Sequence, residues 1–212
     1  MIQKLTEKDY AISSWSGGTT TQLAIWPPEA RYADRDFLWR ISSATVDLEE
    51  SDFTPLPDYD RLIATLEGDI VLTHNGGEPI PLRPLEVHAF SGADSTHSRG
   101  RCRDFNLMLR RGKVNGTMEP LHLSAAPTIL YVGTSIACPP SPAAEQILLY
   151  CVEGKATAFP KGHPERSAAE SKDPSLPSPT FSLASGEALF LTDPVSLILT
   201  GPAVLMLCKM TL

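Results

Sequence analysis

Period-two alternation of apolar and polar residues, interrupted every few residues by turn chemistry, limits this chain to short strands. In Phe37–Val46 it puts Phe37, Trp39 and Ile41 on one face, and Arg40 and Ser42 on the other. The runs Arg61–Leu66 and Ile70–His74 end in Glu67-Gly68-Asp69 and Asn75-Gly76-Gly77. Asn-Gly supplies the positive φ that a tight hairpin needs. Further strand candidates are Asp104–Leu109, Thr128–Val132, Gln146–Val152, Ala188–Leu191, Ser196–Leu199 and Ala203–Lys209. No window of a dozen residues carries a 3.6-residue apolar stripe. The expected fold is all-β, a sandwich or barrel of antiparallel strands.

The chain has 212 residues, enough for a sizeable core without disulfide staples. At 42% hydrophobic with a net charge of −7, it is too apolar for a disordered protein. Its 25 acidic against 18 basic residues argue against nucleic acid or an anionic membrane as partner. No apolar run reaches the length of a transmembrane helix. Met1–Asp9 mixes charges and lacks the apolar stretch of a secretory leader, so the expected location is cytoplasmic. Cys102, Cys138, Cys151 and Cys208 are scattered, which fits reduced thiols.

The two halves of the chain echo each other. Leu66-Glu67-Gly68 closes an apolar run, as Val152-Glu153-Gly154 does later. Each is followed by an apolar pair ending in Phe (Ala89-Phe90, Leu189-Phe190) and a closing strand (Phe105–Leu109, Val204–Cys208). The expectation is a single compact unit over residues 1–212, with lobes at about 15–112 and 125–210. Pro160–Pro179, poor in large apolar residues, reads as a flexible insertion.

His74, His88, His97, His122 and His163 never fall at the i, i+2 spacing that aims two imidazoles from one strand. Asp58-Tyr59-Asp60-Arg61 stands where a metal-binding barrel often has its histidine pair. No metal centre or cofactor is expected, and each histidine reads as a surface or loop residue. No nucleophile elbow is present, and Gly17-Gly18 lacks the lysine of a phosphate loop. That pair is either a tight turn at Gly18 or a ligand loop with Thr20 and Gln22 as donors. Arg99, Arg101, Arg103, Arg110, Arg111 and Lys113 have only Phe105 as a nearby aromatic, so they read as solvated strand ends.

Asp104-Phe105-Asn106-Leu107-Met108 is more informative. Extended, it places Asp104, Asn106 and Met108 on one face and Phe105, Leu107 and Leu109 on the other. An unpaired buried polar group costs about 1–3 kcal/mol, so these residues need partners. If the two strands are neighbours, Arg40 and Ser42 meet Asp104 and Asn106. Two readings stay open: a structural Arg–Asp or Arg–Asn contact, or a pocket where Arg40 forks a carboxylate that Asn106 and Ser42 orient.

Trp15-x-Gly17-Gly18-x-Thr20-x-Gln22, Phe37-x-Trp39-Arg40-Ile41-Ser42-x-Ala44, Asp60-Arg61 with Leu66-Glu67-Gly68, and Asp104-Phe105-Asn106-x-Met108-x-Arg110 together resemble the HutD/Ves family. The resemblance runs from Trp15 to Arg111. It departs where Ser16 leads directly into Gly17, and at Phe53-Thr54-Pro55-Leu56-Pro57-Asp58-Tyr59. It implies a double-cupin (bicupin) fold of two similar antiparallel units, in bacteria, in some genomes beside histidine-utilisation genes. It implies no established catalytic activity. The resulting reading is a metal-free cupin that binds a small carboxylate-bearing metabolite, with a sensing or regulatory role in histidine or amino-acid catabolism. Its site would comprise Arg40, Ser42, Asn106, Asp104, Arg61, Thr20, Gln22 and Trp15. The alternatives are an isomerase or hydrolase using Asp104 or Asp60 as base, and a homodimeric module joined through a hydrophobic strand edge.

Overall fold

The computed structural model describes residues 1–132, 144–161, 180–192 and 195–212. They form antiparallel strands and two short 3-10 turns, Glu7–Asp9 and Tyr32–Asp34. No helix among them is long and apolar enough to cross a membrane. The chain divides into two compact units. Lys8–Glu119 makes the N-terminal unit; Met1–Glu7 joins Pro120–Leu212 in the C-terminal one. The first strand, β1 (Ile2–Leu5), therefore belongs with the second half of the chain.

In the N-terminal unit, β2 (Ala11–Trp15), β3 (Gly18–Trp26), β4 (Trp39–Val46), β6 (Tyr59–Glu67), β9 (His88–Ser91) and β11 (Cys102–Arg110) form one sheet. Its order is β2-β3-β4-β11-β6-β9. A second sheet holds β5 (Glu50–Asp52), β7 (Ile70–His74), β8 (Ile80–Leu82) and β10 (Thr96–Arg99), in the order β5-β10-β7-β8. β11 lies between β4 and β6, so each of its side chains has a neighbour on both sides. Leu107 stands opposite Ile41 and Leu62 on one face. On the other, Asn106 faces Ser42 and Ile63, Met108 faces Arg40 and Arg61, and Asp104 faces Ala44 and Thr65. Ile63 packs on Ile70, Leu72 and Leu82, so this second face turns toward the four-stranded sheet.

The alternation of β4 holds only from Trp39. Phe37 does not share the face of Trp39 and Ile41: a bend at Leu38 precedes the strand. Phe37 packs instead with Leu56, Tyr59 and Met108, its ring centroid 4.3 Å from that of Tyr59. Period two applies only where the backbone is extended. The tight turn expected at Gly18 falls one residue earlier, and Gly18 itself opens β3. Ser16-Gly17 links β2 to β3, and a Cβ on Gly18 would collide with the Thr45 carbonyl oxygen. The threonines that follow are strand.

In the C-terminal unit β14 (Glu145–Lys161) is the spine. Its first half pairs with β16 (Ala188–Leu191) and β18 (Ala203–Thr211); its second half pairs with β15 (Phe181–Ala184) and β17 (Val195–Thr200). β1 adds to β16, and β13 (Thr128–Val132) adds to β17. β12 (Asn115–Leu123) enters this unit at Pro120, and Leu123 reaches its core. That core includes Ile147, Leu149, Leu189, Leu197 and Leu205, all fully buried. Of the expected insertion, Pro160 and Lys161 end β14, while 162–179 lie outside the described residues.

The echo between the halves has a geometric counterpart. Gly68 (φ 80°) and Gly154 (φ 81°) each sit where a Cβ would strike a backbone carbonyl, that of Arg101 and that of Pro202. A register shift accompanies each, opposite Gly68's strand between Arg103 and Asp104 and within β14 between Cys151 and Glu153.

Candidate functional site

The polar face of β3, β4, β11 and β6 opens into a cavity of about 320 Å³ within the N-terminal unit. Seven of the eight residues expected from sequence line it: Trp15, Thr20, Arg40, Ser42, Arg61, Asp104 and Asn106. Trp15 stands at the rim, 42% exposed. The eighth, Gln22, lies behind Arg40 and accepts its Nε–H at 2.8 Å. Arg40 Nη1 donates to Ser42 Oγ at 3.0 Å, and the Tyr32 ring covers the guanidinium with its centroid 4.3 Å from Cζ. Arg40 is thus held on two edges and one face.

Arg61 is different. It is only 7% exposed, and its Cζ lies 4.8 Å from the Phe53 ring centroid and 5.1 Å from that of Phe90. Among the described residues it has no hydrogen-bond acceptor, and its Nε is buried without one. An arginine is almost never buried without a partner. Burial drags its pKa down to about 10 even though Asp104 opposes the shift. Burial lowers that of Arg40 as well, with Tyr32 opposing.

Asp104 is 8% exposed. Its Oδ1 accepts the Ala44 N–H at 3.1 Å, and Ser43 Oγ donates to its backbone carbonyl at 2.6 Å. Burial pushes its carboxyl up to about 6, against the Ala44 N–H and the Arg61 and Arg40 charges. No ion pair within 4.0 Å joins it to either arginine. The purely structural Arg40–Asp104 pair is therefore not made. Among the described residues, Asn106 Oδ1 is also buried with no partner.

Asp60 does not line this cavity. It points to the opposite side of β6 from Arg61, is exposed, and is bound by Arg111, with 2.8 Å from Nη2 to Oδ1. Adjacent residues on a strand cannot share a face. Of the other arginines of the basic run, Arg99, Arg101 and Arg103 have surface partners in Glu50, Glu49 and Glu67, whereas Arg110 is no solvated strand end: its Nη1 donates to the Arg35 carbonyl at 2.8 Å and to Tyr59 Oη at 3.1 Å.

Sequence reasoning missed the aromatic walls Tyr32, Phe53 and Phe90, which come from loops and an edge strand. It also missed a histidine pair. His74 and His88 are not isolated: their Nε2 atoms lie 2.9 Å apart, and His74 Nδ1 lies 2.8 Å from Thr96 Oγ1. Burial, then His74, lowers the pKa of His88. His74 stands on β7 of the four-stranded sheet and His88 on β9 of the six-stranded one, so they meet only where the two sheets pack, and no spacing along the chain could announce it. Among the described residues, no group of three or more His, Cys, Asp or Glu is placed to hold a metal ion.

Solved structures share this architecture. A conserved protein of unknown function from Pseudomonas aeruginosa PAO1, PA5104, superposes with a TM-score of 0.75 at 24% identity, covering 100% of this chain and 98% of its own. HutD from Pseudomonas fluorescens SBW25 gives 0.69 at 20% identity, with 98% of each chain covered. YhhW from Escherichia coli gives 0.65 at 11% identity, covering 99% and 97%. No curated protein matches in sequence. These likenesses define the class: an all-β, cupin-like protein, here with a charged cavity in one of its units. The HutD family model matches residues 7–194, and the chain belongs to the HutD family.

Proposed function

We propose that this HutD-family protein is a two-cupin binding protein whose N-terminal unit captures a small carboxylate-bearing metabolite, in a sensing or regulatory role in amino-acid catabolism. The observation that carries this reading is Arg61, buried, walled by two aromatic rings and left without an acceptor. A guanidinium in that state has a free planar edge that matches a carboxylate. Arg40, immobilised by Gln22 and Ser42, adds positive potential to the same space. The pocket as proposed is built from arginine, asparagine and aspartate, with no metal in the binding step.

A thermal-shift screen of small carboxylates tests it. Ligand at 100 times its Kd adds about 2.7 kcal/mol of stability. The Arg61→Ile variant should lose that response. A carboxylate response that survives in Arg61→Ile defeats the reading.

One observation favours a second reading, an enzyme. Asp104, with its carboxyl pushed up to about 6 inside the cavity, has the proton affinity of a general acid or base working near neutrality. Exchange of a bound carboxylate's α-proton with deuterated water, present in the parent protein and lost in Asp104→Asn, would establish it.

A further inference from the structure

The cavity separates its charges. Asp104 and both arginines line the same space, yet no carboxylate–guanidinium contact closes within 4.0 Å. Two kinds of unmet hydrogen-bonding capacity remain. Arg61 offers donors with no acceptor, while the Asn106 side chain makes no hydrogen bond to a described residue. On Asp104, Oδ1 is engaged by the Ala44 N–H and Oδ2 accepts from no described residue. Register sets this geometry. Asn106 occupies the rung between that of Asp104 and Thr65 and that of Met108 and Arg61, so the acceptors sit one and two rungs from the arginine. A plain anion would satisfy Arg61 and leave the acceptors empty, with a like charge at Asp104. A ligand with a donor near its carboxylate satisfies both ends, since buried polar groups are stable when paired.

We propose that the ligand of this cavity carries an N–H or O–H donor beside its carboxylate, with Arg61 receiving the carboxylate and Asp104 and Asn106 receiving the donor. The proposal rests on the carboxylate reading above and adds the second half of the ligand. The class it selects is the amino- or hydroxy-substituted carboxylate over the simple fatty acid.

Three compounds of matched size decide it: butanoate, 2-hydroxybutanoate and 2-aminobutanoate, titrated against the full chain by calorimetry or ligand-observed NMR. The two donor-bearing compounds should bind roughly tenfold or more tightly than butanoate, because the acceptor they meet is charged or buried. In Asp104→Asn, 2-aminobutanoate should fall to within about twofold of butanoate, as the ammonium loses its counter-charge. Should that variant not fold, Asn106→Ala and the parent series carry the test, and the hydroxyl preference should shrink in Asn106→Ala. Equal binding of all three to the parent chain, abolished by Arg61→Ile, overturns the donor proposal and leaves the carboxylate reading standing. Absence of binding by all three overturns both.

Discussion

Counting back from the glycine at the end of the shared strand, the two units present the same positions with opposite chemistry. Arg61, Ile63 and Thr65 lie seven, five and three residues before Gly68; Ile147, Leu149 and Cys151 lie at the same distances before Gly154. Across the sheet Thr65 faces Asp104 and Cys151 faces Leu205. Likewise Ile63 faces Asn106, and Leu149 faces Leu207. The C-terminal unit thus fills with Ile147, Leu205 and Leu207 the places that in the N-terminal unit hold Arg61, Asp104 and Asn106, while Leu149 and Ile63 are aliphatic in both. Among the described residues, the C-terminal unit leaves no buried side-chain polar atom without a partner. The other has given up packing for unmet donors and acceptors, which is the arrangement of a binding site.

The largest effect should come from forcing the chemistry of one unit onto the other. Leu205→Asp places a carboxylate in a fully buried aliphatic site, among Ile147, Leu149 and Leu207. A loss of at least about 4 kcal/mol is expected in urea unfolding, because an unpaired charge is being buried. A loss below about 1 kcal/mol would show that the C-terminal core tolerates polarity and would dissolve the contrast.

Acid titration gives the next effect. Asp104 has its carboxyl raised to about 6 in the folded chain against 3.8 unfolded, so the folded state binds the proton more tightly between those values. Its contribution is therefore present at low pH and lost as pH rises from about 4 to 6, by at most about 3 kcal/mol. The difference in unfolding free energy between the parent protein and Asp104→Asn should change over that window. A pH-independent difference would mean that the Asp104 carboxyl titrates alike in the folded and unfolded chain.

Arg61→Ile copies the C-terminal unit at the equivalent position. Removing a buried, unpaired guanidinium should be neutral or stabilising by about 1–2 kcal/mol, while the ligand-induced shift disappears. Marked destabilisation would point to Arg61 as a structural residue. The smallest effect is expected at the rim of the sheet. Arg103→Ala breaks the exposed pair with Glu67 and should cost less than about 1 kcal/mol.

Much of this was legible in the chain itself. The period-two runs announced β4, β6, β7 and β11, because side-chain alternation is a local property of extended backbone. Glu-Gly at 67–68 and 153–154 announced the turns, because a positive φ is paid for residue by residue. The same alternation placed Arg40 with Ser42, and Asp104 with Asn106, on the faces they occupy. Where alternation stops, as at Leu38 before β4, the reading stopped with it, and Phe37 went to another cluster.

Tertiary structure decided the rest. That β11 lies between β4 and β6 is a matter of strand order, which no local pattern encodes, and it brings Arg61 into the cavity with Arg40. That Arg61 has no acceptor, that Asp60 serves Arg111 and that His74 meets His88 all depend on residues distant in the chain. Sequence by itself determined which side chains would be polar and on which face of their strands they would stand. Only the fold decided which of them would find partners, because pairing requires two strands to be neighbours in a given register, and register is set by packing across the whole sheet.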